Sequence, residues 1–263
     1  MLIDLHAHSH LSKGCDLDPR LVLDRAATHG LDGVAFTETN TQDGCDELFD
    51  LQAKTKLKIF VGLELITDKG QYLCFFPKPE LAPEPVQMWG SNREKPWSAA
   101  ECLPKVKSLG AAIVAARPYD RDFPNPAGDF LLTLDCLSAI EGYNPKVRPM
   151  ANELAVEAAE TRHLPCVAGS DAKTSLDEVG RAATLFKKDL KTQTDLVQAI
   201  LEGQCWAVMM GELPALTRPG EAREAERSGG RERSGGRGRG RGGGGGRGGG
   251  RGRGGGRGGG RWS

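Results

Sequence analysis

Residues 1–14 read MLIDLHAHSHLSKG, and the rest of the chain is organised around them. Asp4, His6 and His8 alternate here with apolar residues, and a period of two indicates a β-strand with these three side chains on one face. Two imidazoles two positions apart on a strand can converge on a single metal ion. Polar residues follow directly, and α/β folds keep their chemistry in loops at the carboxyl ends of strands. The stretch therefore predicts a first strand that carries a metal site at its carboxyl end.

Short buried strands and helical segments alternate along the sequence that follows. Strands are predicted over residues 33–37, 58–64, 71–76, 111–116, 139–144, 165–169 and 205–209. Helices are predicted over residues 21–29, 48–56, 98–109, 150–162 and 195–202, with a long loop over 77–97 and a turn within 176–182. Polar side chains recur where the predicted strands end. This pattern is typical of a β/α barrel, whose active rim lies at the carboxyl ends of its strands.

Charge is distributed unevenly along the chain, although the formal charge of its 263 residues is zero. Residues 227–263 contain 11 Arg, one Glu and 21 of the 36 Gly, so this segment carries +10 and the remainder carries −10. The segment has almost no apolar residues, and so it cannot form a core and is predicted to be disordered. We therefore predict a barrel domain over 1–211, a linker over 212–226 and an Arg/Gly-rich tail over 227–263.

The seven cysteines are an odd number and form no Cys-x-x-Cys pair. Several lie in apolar runs, where a free cysteine behaves as a small hydrophobic side chain. Reduced thiols of this kind predict a cytoplasmic protein. The first residues show no basic segment followed by a long apolar run, and no stretch approaches the roughly 18 apolar residues of a membrane span. Neither a secretory signal nor a membrane partner is expected.

Several segments resemble motifs of the polymerase and histidinol phosphatase (PHP) family. The matching segments are DLHAHS (4–9), GLDGVAFT (30–37), GLE (62–64), IEGYN (140–144) and AGSDA (168–172). The resemblance spans residues 1 to about 210 and implies an α/β fold of the distorted (β/α)7 barrel type. It also implies hydrolysis of phosphate esters with up to three Zn, Mn or Fe ions at the carboxyl rim.

Three positions depart from the family pattern of metal ligands. Thr39, Arg117 and Lys173 stand where the family has histidines. The family ligands that this chain retains are His6, His8, Glu64 and Asp171. In the family those four residues surround a single metal position. The resemblance therefore implies one divalent ion, Zn or Mn, and argues against the second and third ions.

Two interpretations of the replaced ligands stay open. In the first, Arg117 and Lys173 bind phosphate oxygens directly, and together with Asp171 they are candidate catalytic residues of a one-metal phosphoesterase. Its substrate would be a phosphate ester, such as a nucleotide or an oligonucleotide. In the second, catalysis has been lost, the two cations are tolerated at an open rim, and the chain is a binding protein. Glu38 is expected to cap a helix or to lie on the solvated rim.

The Arg/Gly-rich tail suggests a second kind of ligand. Arginines on a flexible glycine backbone suit contacts with phosphates and stacking on bases. The candidate nucleic-acid-binding residues are Arg237, Arg239, Arg241, Arg247, Arg251, Arg253 and Arg257. We expect weak, non-specific binding to RNA or single-stranded nucleic acid. The alternative is a solubilising tail that associates with any polyanion.

Overall fold

A computed structural model describes residues 1–91 and 95–211 of the chain. The predicted linker, the predicted tail and its seven candidate arginines lie outside the described residues. The strands are β1 (Leu2–Ala7), β2 (Gly33–Thr39), β3 (Lys58–Thr67), β4 (Gly70–Phe75), β5 (Ala112–Ala116), β6 (Ala139–Tyr143), β7 (Cys166–Ala168), β8 (Ala182–Phe186) and β9 (Cys205–Met209). The helices are α1 (Pro19–Thr28), α2 (Cys45–Leu51), α3 (Pro85–Trp89), α4 (Ala99–Ser108), α5 (Pro149–Arg162) and α6 (Gln193–Leu201).

The strands of the described residues form one sheet in the order β7-β6-β5-β4-β3-β2-β1-β8-β9. Neighbours from β1 to β3 and from β5 to β7 pair in parallel, whereas β4 runs antiparallel to both β3 and β5. The sheet curves into a nearly closed barrel, which confirms the predicted α/β barrel. Buried apolar clusters pack the helices onto it; one of them joins Ile3 and Phe60 of the strands to Leu196 of α6.

The barrel closes where the segment after β7 pairs with the carboxyl half of β1. The N–H of Asp171 donates to the carbonyl of His6 at 2.6 Å, and the N–H of His8 donates to the carbonyl of Ala172 at 2.9 Å. These bonds continue the sheet along the carboxyl half of β1. The approach requires glycine at position 169, because a Cβ at Gly169 would lie 2.4 Å from the Cβ of His6. The closure therefore sets Asp171 beside the imidazoles of His6, on β1, and His8, directly after β1.

Side chains complete the closure at two further points. The carboxylate of Asp4 accepts the N–H of Ser170 at 2.8 Å and the N–H of Gly180 at 3.2 Å. Burial raises the pKa of Asp4 to about 6, although these hydrogen bonds oppose the shift. The hydroxyl of Thr184 on β8 accepts from the N–H of Ala168 at 2.9 Å and donates to its carbonyl at 2.8 Å. One threonine thus satisfies both backbone groups of a β7 residue.

Two segments differ from the prediction. The turn expected within 176–182 is present at Val179–Gly180, but the chain then continues as strand β8, which was not predicted. After helix α6, β9 returns to pair antiparallel with β8. Only a single 3₁₀ turn, Leu176–Glu178, separates β7 from β8, so the alternation of strand and α-helix gave no place for this strand. The long loop expected over 77–97 contains the short helix α3. No helix in the described part of the chain is long and apolar enough to cross a membrane.

We predict that Thr184→Val lowers the free energy of unfolding by about 1–3 kcal/mol, because it leaves a buried N–H and a buried carbonyl without partners. Urea denaturation monitored by circular dichroism measures the change. The matched control is Thr161→Val, since the hydroxyl of Thr161 bonds to the carbonyl of Glu157 at an exposed position. Equal stability of the Thr184→Val variant and the wild type would contradict the assigned role of this hydroxyl.

Candidate metal centre

Four side chains from three parts of the barrel meet at its carboxyl rim: His6, His8, Glu64 and Asp171. The Nε2 atom of His6 lies 3.5 Å from Oε1 of Glu64 and 3.6 Å from Oδ1 of Asp171. The Nε2 atom of His8 lies 3.7 Å from Oε2 of Glu64 and 3.6 Å from the same oxygen of Asp171. All four side chains are at most 4% exposed. The structure thus brings together the four residues that the family resemblance singled out.

The donor atoms of this cluster fit a metal ion. Ligand atoms of His6, His8 and Asp171 lie within 4.8 Å of one another, the one such group of His, Cys, Asp or Glu in residues 1–91 and 95–211. The Nε2 atoms of both imidazoles and Oε1 of Glu64 are buried without hydrogen-bond partners. Buried polar atoms without partners are costly. Two imidazole nitrogens with carboxylate oxygens are a suitable ligand set for Zn or Mn, and an ion would satisfy them.

Glu141 on β6 holds the first imidazole in place. Its Oε1 lies 2.8 Å from Nδ1 of His6, and its Oε2 accepts the N–H of Arg117 at 3.0 Å and the amide of Asn144 at 3.2 Å. Because a carboxylate only accepts, Nδ1 of His6 is the donor and Nε2 points into the cluster. Burial lowers the pKa of His6, but the charges of Glu141 and Asp171 outweigh it and hold that pKa well above its usual range.

The second imidazole is held by a hydroxyl backed by a carboxylate. Nδ1 of His8 lies 3.1 Å from Oγ of Ser12, and Ser12 donates to Oε2 of Glu38 in a short hydrogen bond. Oε1 of Glu38 accepts the hydroxyl of Ser9 at 2.6 Å and the N–H of Ser9 at 3.1 Å. The expectation of a helix cap or a solvated rim position for Glu38 is wrong. Its side chain is 2% exposed, because the serines of the loop after β1 fold over it.

Arg117 lies directly against the cluster. Its Nη1 is 2.9 Å from Oδ2 of Asp171. The other oxygen of that carboxylate, Oδ1, is the one that faces the two imidazoles. Nε and Nη2 both donate to Oε1 of Gln71, at 3.0 and 2.5 Å. Burial raises the pKa of Asp171, but the positive charges of His6, Arg117 and His8 outweigh it and hold that pKa far below its usual range. Arg117 and Asp171 both have positive φ angles, 43° and 52°.

Lys173 reaches the cluster through a hydroxyl. Its Nζ donates to Oγ1 of Thr39 at 3.1 Å, and Thr39 donates to Oε2 of Glu64 at 2.8 Å. Burial raises the pKa of Glu64, but its contacts with His6 and His8 lower it to about 2. All three replaced family positions therefore face the retained carboxylates. Sequence reasoning assigned no role in the site to Glu141, Ser12 or Gln71, although Ser12 lies in the polar loop after the first strand and Glu141 lies in the IEGYN segment that resembles a family motif.

Comparison with known proteins bears on the family of this chain. Residues 4–120 match the family model described as the PHP domain, and residues 149–205 match the model described as PHP-associated. An uncharacterised protein of Methanocaldococcus jannaschii is 27% identical over an alignment of 154 positions that covers 55% of this chain and 82% of that protein.

Solved structures share the fold at low sequence identity. A candidate metal-dependent phosphoesterase of Bifidobacterium adolescentis has a TM-score of 0.56 and 17% identity over 76% of this chain and 96% of its own. PsfC of Pseudomonas syringae has a TM-score of 0.58 and 20% identity over 87% and 96%. An amidohydrolase of Chromobacterium violaceum, described with bound sulfate and no metal, has a TM-score of 0.51 and 18% identity over 80% and 98%. Motifs, fold and family models agree, and the chain belongs to the PHP domain family.

Proposed function

We propose that the protein is a metal-dependent phosphoesterase that works with one divalent ion, Zn or Mn. His6, His8, Glu64 and Asp171 would hold the ion. The observation that carries this proposal is the set of buried donor atoms without partners, two imidazole nitrogens and one carboxylate oxygen, that face one another at the rim. When bound, a divalent ion lowers the pKa of a water molecule to about 7 and so supplies a nucleophile at neutral pH.

The outer oxygens of the two ligand carboxylates support a site for one ion. Oδ2 of Asp171 is taken by the guanidinium of Arg117, and Oε2 of Glu64 accepts from Thr39. A carboxylate whose second oxygen already has a charged or hydrogen-bonded partner is a poor bridge to another ion. The two cations then supply positive charge where the family's further ions would be, according to the resemblance.

Lys173 and Arg117 are the residues that would hold the phosphate. The ammonium of Lys173 has three hydrogens and uses one on Thr39, so two can point to phosphate oxygens. Arg117 contributes its positive charge and those N–H groups that are not already used on Gln71 and Asp171. Guanidinium and ammonium groups bind phosphate oxygens directly. A nucleotide or an oligonucleotide end is the substrate that we propose, and a cytoplasmic location stays a prediction of the cysteine pattern.

A binding protein without turnover is the second candidate. The observation that favours it is the ion pair between Arg117 and Asp171, which already neutralises a carboxylate that catalysis would use. Such a protein would bind a phosphate ester without cleaving it.

We predict that the purified protein retains one Zn or Mn ion per chain and hydrolyses phosphomonoesters. Asp171→Asn keeps the shape of the side chain but removes its charge, so we expect at least about a tenfold loss of metal affinity and loss of turnover. Elemental analysis and a chelator competition measure the metal, and phosphate release measures turnover. Lys173→Met should retain the ion while KM rises about tenfold, since hydrogen bonds to charged groups contribute about 1.5–3 kcal/mol.

The controls are Asp135→Asn and Lys188→Met, whose side chains are 96% and 55% exposed. Both should match the wild type. A wild-type protein that holds no metal and releases no phosphate would rule out the enzyme. Metal and phosphate-ester binding without turnover would establish the second candidate.

We also propose that residues 227–263 tether the protein to RNA or single-stranded nucleic acid. Deleting them should abolish binding, because this segment carries +10 while the rest of the chain carries −10. If all of that charge contacts a single strand, the logarithm of the binding constant should fall with the logarithm of salt concentration with a slope of about −7. Fluorescence anisotropy with a labelled RNA measures both. The control replaces the seven candidate arginines by glutamine at unchanged length, and binding retained by residues 1–226 would contradict the proposal.

A further inference from the structure

We propose that Glu38 is a positioning residue that, through the hydroxyl of Ser12, fixes the ring hydrogen of His8 on Nδ1 and leaves Nε2 free to bind an ion. This inference rests on the proposed metal site for its functional meaning. The assignment of the hydrogen itself concerns the metal-free protein. No hydrogen bond joins Glu38 to His8, so the effect of Glu38 on the ring hydrogen must pass through Ser12.

The hydrogen bonds around Ser12 decide where its hydrogen points. The N–H of Thr39 donates to Oγ of Ser12 at 2.8 Å, so the serine oxygen is an acceptor there. Ser12 donates its own hydrogen to Oε2 of Glu38, since a carboxylate offers no hydrogen. The remaining partner of Ser12 is Nδ1 of His8 at 3.1 Å. Because the hydroxyl hydrogen is already used, Nδ1 must be the donor, and the neutral imidazole then has its lone pair on Nε2.

Glu38 itself is held so that it cannot turn away. Its Oε1 accepts both the hydroxyl and the N–H of Ser9, at 2.6 and 3.1 Å, and the side chain is 2% exposed. The backbone N–H of Ser9 cannot reverse its role, and so it requires an acceptor at this position. The arrangement parallels that of His6, whose Nδ1 donates directly to Glu141. Partners of this kind that orient a ligating imidazole typically change metal affinity by 10–100-fold when they are removed.

Glu38→Gln makes a sharp test because the geometry favours one orientation of the amide. The N–H of Ser9 lies 3.1 Å from Oε1 and 3.3 Å from Oε2 of Glu38, and an amide nitrogen in the nearer position would face this donor. The amide oxygen is therefore favoured at that side, and the amide nitrogen faces Ser12 and donates to it. Ser12 then accepts from both the amide and Thr39, and its own hydrogen can only go to Nδ1 of His8. The variant should therefore place the imidazole hydrogen on Nε2, which blocks the atom that faces the ion.

Nitrogen-15 NMR of the histidine rings in the full-length, metal-free protein at alkaline pH reads the tautomer directly. We expect the wild type to show His8 protonated on Nδ1, and Glu38→Gln to show it protonated on Nε2. Zn or Mn affinity, measured by chelator competition, should fall by about 10-fold or more in Glu38→Gln and in Ser12→Ala. Ser12→Ala removes the intermediate hydroxyl with little change of volume and serves as the second variant if Glu38→Gln folds poorly.

Ser9→Ala is the matched control, because it removes a hydroxyl from the same carboxylate but leaves Ser12 and His8 in contact. Its His8 tautomer should be that of the wild type, and its metal affinity should change by less than about threefold, well below the range for lost ligand-orienting partners. A wild-type His8 protonated on Nε2, or an unchanged tautomer in both Glu38→Gln and Ser12→Ala, would overturn the inference. A wild-type protein with the expected tautomer that binds no metal would support the assignment and overturn the proposed function instead.

Discussion

The pairing between β1 and the segment after β7 is the interaction on which the metal centre depends. The N–H of Asp171 on the carbonyl of His6 closes the barrel and fixes one ligand against another in the same bond. It does so although Asp171 has a φ angle of 52°, a conformation that costs a residue with a side chain on the order of 1–3 kcal/mol. Backbone pairing, the contact with Gly169 and the ion pair with Arg117 together hold the residue there. A barrel that closed elsewhere would leave the imidazoles of His6 and His8 without this carboxylate.

Burial of acidic groups is the second constraint, since a carboxylate is removed from water only at a large cost unless it is hydrogen-bonded or paired. Five acidic side chains at the rim or beneath it are almost fully buried: Asp4, Glu38, Glu64, Glu141 and Asp171. The two that lie away from the ligand atoms, Asp4 and Glu38, are satisfied by N–H and O–H groups alone. Of the other three, Glu141 contacts His6 and Asp171 contacts Arg117. Glu64 is linked to Lys173 through the hydroxyl of Thr39. The cations at the rim are therefore part of the charge balance of the fold as well as candidates for binding phosphate.

The sequence revealed those parts of the site that local pattern or family motif can encode. The period of two located β1 and the imidazoles of His6 and His8. Glu64 and Asp171 needed the family resemblance, because no local pattern predicts that two strands far apart in the chain have their carboxyl ends side by side. Glu38 was misread for a physical reason: its partners Ser9 and Ser12 come from another strand's loop, and an acid at a strand end reads as solvated until that loop covers it. Strand β8 was missed because no α-helix lies between it and β7, and this breaks the alternation of strand and helix by which the barrel was predicted.

The surroundings of Arg117 bear on whether the replaced ligands reflect loss or adaptation. A cation that is merely tolerated at an open rim needs no partners, and solvent would satisfy its N–H groups. Arg117 instead has one edge of its guanidinium on the buried Gln71, the other edge on Asp171, and a face 5.3 Å from the centre of the Phe123 ring. A planar group fixed on two edges and one face has a single orientation, and that orientation directs its charge at a ligand carboxylate. Gln71 accepts without a charge of its own, so it holds the guanidinium without competing with Asp171 for it. These contacts favour a cation that has been built into the centre over one left there by decay.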